Sequence, residues 1–132
     1  MKVSIITVIP NNQVSIAHAI NSVLNQDYCS IEYIVIDGSS IDATAKIIKS
    51  YGNRISRFIS KPDQGIYDAI NRGLKIAIGD IISVLNLDDF YKNTNVIYRI
   101  VQKFYFDKVD LVFGDIVFVN HQNLQQEIRY LL

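Results

Sequence analysis

Two adjacent carboxylates, Asp88 and Asp89, have the clearest capacity for chemistry, and they lie in the run N-L-D-D at residues 86–89. They follow residues 81–85, which are apolar enough to form a central buried strand. In proteins, a magnesium-like cation is bound by one or two carboxylates together with phosphate oxygens. Adjacent side chains on an extended chain point in opposite directions. We therefore expect one carboxylate to reach a metal and the other to support the loop or cap the next helix.

Polar residues occupy three further positions at which predicted strands end, namely Asn11, Asp37 and Asp63. In an open parallel sheet, ligands bind beyond the carboxyl ends of the strands. Asp and Asn are also ordinary turn formers and helix caps, which is the alternative explanation for each residue taken alone. Together with Asp88, the three residues indicate a polar rim along one edge of the sheet.

Asp68, Asn71 and Arg72 form a third polar group, with the i, i+3, i+4 spacing of one helix face. Such a face can hold a sugar or a ribose. The alternative is a solvated surface whose Asp–Arg pair contributes only about 0.3 kcal/mol. Gly65 and Gly73 flank the group. Because glycine weakens a helix and usually has a packing or close-approach reason, these two glycines favour the binding interpretation.

The sequence lacks both a G-x-G-x-x-G fingerprint and a G-x-x-x-x-G-K-[ST] loop. Their absence argues against a dinucleotide-binding redox domain, which needs a glycine-rich first turn. A diphosphate bound at this sheet would instead need a cation to neutralise its charge, and the carboxylates of residues 86–89 can hold one.

The elements that position these residues follow from a repeated pattern. Four times a short β-branched run is followed by a polar junction and then by helical spacing of apolar residues. This pattern predicts an α/β fold with a mostly parallel central sheet flanked by helices. The predicted strands cover residues 3–8, 31–36, 55–59 and 81–85. The last two predicted helices cover residues 66–78 and 94–106. Two later strands are predicted at residues 111–113 or longer and near residues 126–130.

Composition sets limits on the class of protein. With 132 residues, 49% of them hydrophobic, the chain can form one core, so we predict a single domain over residues 1–132. Thirteen basic and thirteen acidic residues cancel, which argues against a nucleic-acid partner. The single cysteine, Cys29, excludes a disulfide framework and favours the cytoplasm. No apolar run approaches the roughly 20 residues of a membrane helix.

The order and spacing of six blocks resemble the inverting family 2 glycosyltransferases with the GT-A fold. The resemblance runs from residue 3 to about residue 115. The blocks are V-S-I-I-T-V at 3–8 with Asn11, S-V-L-N-Q-D-Y at 22–28, I-E-Y-I-V-I-D-G-S-S-I-D-A-T at 31–44, D-Q-G-I-Y-D-A-I-N-R-G at 63–73, G-D at 79–80 with N-L-D-D at 86–89, and G-D at 114–115.

The resemblance implies transfer of a sugar, with inversion, from a nucleotide diphosphate donor, often UDP-linked, to a saccharide or lipid-linked acceptor. A lipid-linked acceptor would place the protein at the inner face of the membrane. It also implies a divalent metal, Mg²⁺ or Mn²⁺, that acts as a Lewis acid on the diphosphate. The residues it assigns are Thr7, Asn11 and Asp37 in the base and ribose pocket, Asp68, Asn71 and Arg72 nearby, and Asp88 on the metal with Asn86 beside it.

Three features depart from the family pattern. Asn86 replaces the first acid of the common D-x-D. Gly38 stands where many members have a second Asp, which leaves Asp42 as an alternative to Asp37 for meeting the base. In the family, the catalytic base and the acceptor-binding elements lie in a further stretch, so we expect the base beyond Leu132 and assign no catalytic residue.

An alternative hypothesis is therefore a catalytically incomplete module or gene remnant that binds a nucleotide sugar without turning it over. An apolar edge exposed where the further stretch would pack could be covered by a homodimer.

Overall fold

The computed structural model of the chain describes residues 1–9, 16–38, 42–119 and 127–131, with the side chains of Asp42 and of residues 127–131 outside the description. The described residues form two compact units, Met1–Arg99 and Ile100–Leu132. In chain order the elements are β1 (Val3–Ile9), α1 (Ala17–Leu24), β2 (Ile31–Asp37), α2 (Asp42–Lys49), a 3-10 turn (Gly52–Arg54), β3 (Arg57–Ser60), α3 (Ile66–Ile76), β4 (Ile81–Val84), α4 (Val96–Asp107), β5 (Ile116–Val119) and β6 (Glu127–Leu131).

The first unit is built on a four-stranded sheet in the order β3-β2-β1-β4, and all of its strand pairs are parallel. Every residue of β1 is buried, as are six of the seven residues of β2. These two strands are rich in Ile and Val, as expected for central parallel strands that are covered on both faces. The predicted α/β fold with a mostly parallel sheet is confirmed.

Helix α3 covers one face of β1 and β2. Ile6 and Ile34 are completely buried in the cluster that includes Ala69 of this helix. A Cβ added to Gly73 would lie 2.8 Å from Cγ2 of Ile6, closer than real Cβ contacts. Gly73 therefore allows α3 to pack closely on β1. Packing is one of the two explanations, packing or close approach, that the sequence suggests for this glycine.

Strand β4 departs from the prediction of a central buried strand. Within residues 1–99 it pairs only with β1, and Ile82 and Val84 are 42% and 43% exposed. They lie on the sheet face that carries Ile6, where α3 packs on β1 and β2. An apolar run shows that a strand can be buried but does not show how many neighbours it has.

A buried polar network fixes the start of β4. The Ser4 hydroxyl donates to Oε1 of Glu32 over 2.7 Å, and the backbone N–H groups of Ile78 and Gly79 donate to Glu32 and Ser4 over 3.0 and 2.8 Å. A Cβ on Gly79 would lie 2.7 Å from the backbone nitrogen of Ser4. The chain between α3 and β4 is thus fixed against β1 by contacts that admit only glycine at residue 79.

The second unit contains the antiparallel pair β5 and β6, with an irregularity in register between Phe118 and Val119. The prediction of a strand at residues 111–113 or longer is wrong for residues 111–115, which form no strand, and β5 begins at Ile116. Residues 111–113 and 116–119 are both apolar, and only the second run pairs with β6. The strand predicted near residues 126–130 is confirmed as β6.

None of the helices in the described ranges is long and apolar enough to span a bilayer.

Candidate functional site

The carboxyl ends of the four parallel strands lie along one edge of the sheet, and Asp37 ends β2 there. Its side chain is completely buried, and its Oδ2 accepts a hydrogen bond from the Ser60 hydroxyl over 2.9 Å. Because β1 separates them, β2 and β4 lie roughly 10 Å apart across the sheet, or two inter-strand spacings. Asn11, predicted for the same edge, lies outside the described residues.

Asp63 lies directly against the end of β2. A Cβ added to Gly38 would lie 3.0 Å from Cγ of Asp63, and the N–H of Gly65 donates to Oδ1 of Asp63 over 3.0 Å. Gly65 has a φ of 116°, a conformation that favours glycine. The Asp63 carboxyl therefore occupies the space that a side chain at residue 38 would need. The sequence indicated Asp63 only as one member of the rim.

Asp68 and Arg72 pair with each other and with the loop that precedes α3. Their charged groups are 3.3 Å apart. The Arg72 guanidinium donates to the carbonyl oxygen of Pro62 over 2.7 Å, and Oδ2 of Asp68 accepts from the N–H of Gln64 over 3.0 Å. Both side chains thus shape residues 61–64. Asn71, the third member of the predicted helix face, is exposed, and its part in binding stays a prediction.

The N-L-D-D run forms a tight turn immediately after β4. The N–H of Asp89 donates to the carbonyl oxygen of Asn86 over 3.0 Å. Leu85 and Leu87 are buried, whereas Asn86, Asp88 and Asp89 are exposed. The two leucines anchor the turn in the core and leave its polar side chains facing solvent.

The two carboxylates of this turn influence each other. Partial burial raises the pKa of Asp89, the charge of Asp88 raises it further, and a hydrogen bond from the Asn86 side chain lowers it. A divalent cation would relieve the repulsion between the two carboxylates, so the residues present fit one. In the part of the chain that the structure describes, no three His, Cys, Asp or Glu side chains cluster as a metal site. A cation held here would therefore need phosphate oxygens to complete its coordination.

Thr7 lies in β1, two residues before the carboxyl end of the strand. Its side chain is completely buried, and its Oγ1 accepts from the Tyr33 hydroxyl over 2.9 Å. Burial also raises the pKa of Tyr33 far above its ordinary value. Asp42 is the first residue of α2, at the same edge of the sheet. The donor-binding roles of Thr7 and Asp42 remain predictions.

Comparison with known proteins places this geometry in a family. The family model described as "Glycosyl transferase family 2" matches residues 4–131. The chain is 38% identical over 94 residues to an uncharacterized glycosyltransferase of Haemophilus influenzae, covering 69% of this chain and 38% of that protein. It is 28% identical over 102 residues to a PGL/p-HBAD biosynthesis glycosyltransferase of Mycobacterium bovis, covering 74% of this chain and 40% of that protein.

Solved structures show the same fold. S. aureus TarS 1–349 in complex with UDP-GlcNAc superposes with a TM-score of 0.76 at 25% identity, over 83% of this chain and 33% of that one. The mannosyltransferase PcManGT from Pyrobaculum calidifontis, in complex with GDP-Man and Mn²⁺, superposes with a TM-score of 0.71 at 18% identity, over 94% of this chain and 37% of that one. The chain thus spans about a third of these two solved chains.

Proposed function

The chain belongs to glycosyltransferase family 2, and we propose that it binds a nucleotide diphosphate sugar for transfer to a hydroxyl acceptor. The observation that carries the proposal is the shared edge of the sheet: buried Asp37, with Asp63 against it, and the Asp88–Asp89 turn stand two strands apart. A nucleotide diphosphate sugar is long enough to reach both. S. aureus TarS, a neighbour of this fold, was solved with UDP-GlcNAc.

Within this proposal, the nucleoside binds at the end of β2. The Asp37 carboxylate is oriented by Ser60, and it accepts from the N–H of the base or the hydroxyls of the ribose. Asp63 lies beside Gly38 and contacts the same base or ribose group in the proposal. Asp68 and Arg72 hold the loop that carries Asp63. Thr7, Asn11, Asp42 and Asn71 complete the donor pocket in the proposal.

The diphosphate binds at the turn after β4, where Asp88 is the proposed ligand of a Mg²⁺ or Mn²⁺ ion. When bound, such an ion supplies Lewis-acid stabilisation of the negative charge on the departing diphosphate. The Asn86 side chain hydrogen-bonds the Asp89 carboxyl. In the proposal, Asp89 therefore supports the turn and Asp88 binds the ion.

The transfer itself is a single displacement. The acceptor is a hydroxyl of a saccharide or lipid-linked molecule, and it attacks the anomeric carbon from the face opposite the diphosphate, which inverts that carbon. A carboxylate base takes the hydroxyl proton as the new bond forms. The proposal assigns that base to none of the described residues.

Isothermal titration calorimetry with UDP-glucose, UDP-GlcNAc and GDP-mannose in the presence of Mn²⁺ tests the proposal, with AMP as the control. We expect saturable binding of at least one nucleotide sugar and none of AMP. Release of free UDP or GDP in the presence of a panel of saccharide acceptors, followed by chromatography, then separates transfer from binding. Binding without release would favour a donor-binding module over an enzyme, whereas no binding of any nucleotide sugar would contradict the proposal.

A further inference from the structure

One stripe of helix α1 contacts the chain that leaves the proposed diphosphate turn. His18, Ser22 and Gln26 are spaced four residues apart, so they lie on one side of the helix and of the turn that ends it. The segment they contact is residues 90–97, which begins immediately after Asp89. We call it the exit segment. All these residues belong to the first unit.

Gln26 makes the most contacts in this stripe. Its Nε2 donates to the carbonyl oxygen of Asn93 over 2.7 Å and to that of Ser22 over 3.1 Å. Its Oε1 accepts from the N–H of Ile97 over 3.0 Å, which satisfies a free donor in the first turn of α4. One side chain therefore joins the end of α1 to two points of the exit segment.

The remaining contacts fix the start and middle of the exit segment. The Ser22 hydroxyl accepts from the N–H of Tyr91 over 3.1 Å and donates to the carbonyl oxygen of Ala19 over 2.8 Å. The ring of His18 lies 6.2 Å from that of Phe90, and the N–H of Asp27 donates to the carbonyl oxygen of Thr94 over 2.8 Å. Residues 90, 91, 93, 94 and 97 are thus all held by α1 and the turn that follows it.

We propose that Ser22 and Gln26 are positioning residues that fix the Asp88–Asp89 turn for the diphosphate and its cation. This inference rests on the proposed function. Strand β4 fixes the chain that enters the turn, because it pairs with β1. Helix α1 and the turn that follows it fix the chain that leaves the turn, through the exit segment. β4 has four residues and pairs with one strand in residues 1–99, so the contacts from α1 hold the turn in addition to its two buried leucines. Groups that hydrogen-bond a metal ligand directly typically contribute about 10- to 100-fold in metal affinity, so residues that act through the exit segment should contribute up to about tenfold.

The test compares three single variants of α1. Gln26→Ala removes the contacts to Asn93 and Ile97, and Ser22→Ala removes the acceptor for Tyr91. Asn21→Ala is the matched control, because it removes a bond from the same helix to the Tyr51 hydroxyl, 3.1 Å away and outside the exit segment. Each variant is titrated with Mn²⁺ in the presence of UDP and, separately, with uridine in the absence of metal. Amide hydrogen exchange of Tyr91 and Ile97 is measured in the metal-free protein.

We expect Gln26→Ala to weaken Mn²⁺ binding by about threefold to tenfold, with uridine affinity unchanged, and to speed amide exchange at Ile97. Ser22→Ala should speed exchange at Tyr91 and weaken Mn²⁺ binding less, and Asn21→Ala should change neither. Unchanged Mn²⁺ affinity in both test variants, or an equal loss of uridine and Mn²⁺ affinity, would overturn the inference.

If Gln26→Ala does not fold, the Mn²⁺ affinity of Ser22→Ala alone tests the inference. Failure of the wild type to bind Mn²⁺ with UDP would overturn the proposed function itself, while the exchange rates would still report whether α1 holds the exit segment.

Discussion

At the scale of single residues, the carboxyl of Asp63 occupies space beside Gly38, at a position where many family members have an Asp. Gly38 departs from a common family pattern, and the Asp63 carboxyl packs against it from the neighbouring loop. The polar rim could be predicted from the sequence, because Asp37, Asp63 and Asp88 all follow strand-like runs. The contact between residues 38 and 63 could not, since it depends on how residues 61–65 turn back towards β2.

This contact predicts coupling between the two positions. Gly38→Ala should displace the Asp63 carboxyl, lowering stability slightly because that side chain can rotate away. In the Asp63→Ala background the same Gly38→Ala change should cost nothing. A double-mutant cycle by urea unfolding should therefore give a coupling of about 0.5–1 kcal/mol. Additive effects of the two changes would show that the side chain of Asp63 does not pack on Gly38.

A second prediction concerns alkaline pH. Burial raises the pKa of Tyr33 above its ordinary value of 10.0. Above pH 10, the unfolded chain therefore loses this proton while the folded chain keeps it, and stability falls as pH rises.

Tyr33→Phe should lower the free energy of unfolding by about 1 kcal/mol at neutral pH, through the lost bond to Thr7, and by less above pH 10. Urea unfolding at both pH values checks this, with Tyr67→Phe, at an exposed tyrosine, as the control. A deficit that is the same at both pH values would contradict it.

At the scale of elements, hydrophobic periodicity predicts where helices and strands form better than it predicts their neighbours. Strands β1 and β2 match the predicted runs to within one residue, because continuous Ile and Val runs are typical of central parallel strands. Within the described residues, the pairing of β4 with β1 alone and the absence of a strand at residues 111–113 were not predictable, since both depend on which distant segment supplies a partner.

The approach of α3 to the sheet gives a prediction at this scale. Gly73→Ala improves helix propensity by about 1 kcal/mol, but its Cβ would meet the buried side chain of Ile6 at 2.8 Å. Overpacking of this kind costs about 1–3 kcal/mol, so the net effect on stability should be zero to a loss of about 2 kcal/mol. Gly114→Ala is the control, because a Cβ there meets nothing within 4 Å. A Gly73→Ala variant that unfolds at clearly higher urea than the wild type would show that α3 does not pack closely on β1.

At the scale of the whole molecule, the sequence predicted the fold class and the edge of the sheet that carries Asp37, Asp63 and Asp88, because strand direction and the βα alternation determine both. The chain spans about 38% of its Haemophilus influenzae relative, and its described residues carry the donor side of the proposed reaction.

Binding of a donor and a metal should therefore stabilise the chain as it stands. A ligand at 100 times its dissociation constant adds about 2.7 kcal/mol to the free energy of unfolding. We expect UDP with Mn²⁺ to raise the melting temperature more than the sum of the two added singly, because phosphate oxygens complete the metal site. Purely additive shifts would show that the nucleotide and the metal bind independently.

The central claim is that Asp88 holds the cation on which donor binding depends, and one calorimetric comparison tests it most directly. Wild type, Asp88→Asn and the exposed control Asp110→Asn are titrated with the nucleotide sugar that the wild type binds best, in Mn²⁺ and again in EDTA. We predict Mn²⁺-dependent binding in the wild type and in Asp110→Asn, and at least about tenfold weaker binding in Asp88→Asn. Equal affinity of wild type and Asp88→Asn in Mn²⁺, or wild-type affinity that survives EDTA, would contradict the claim.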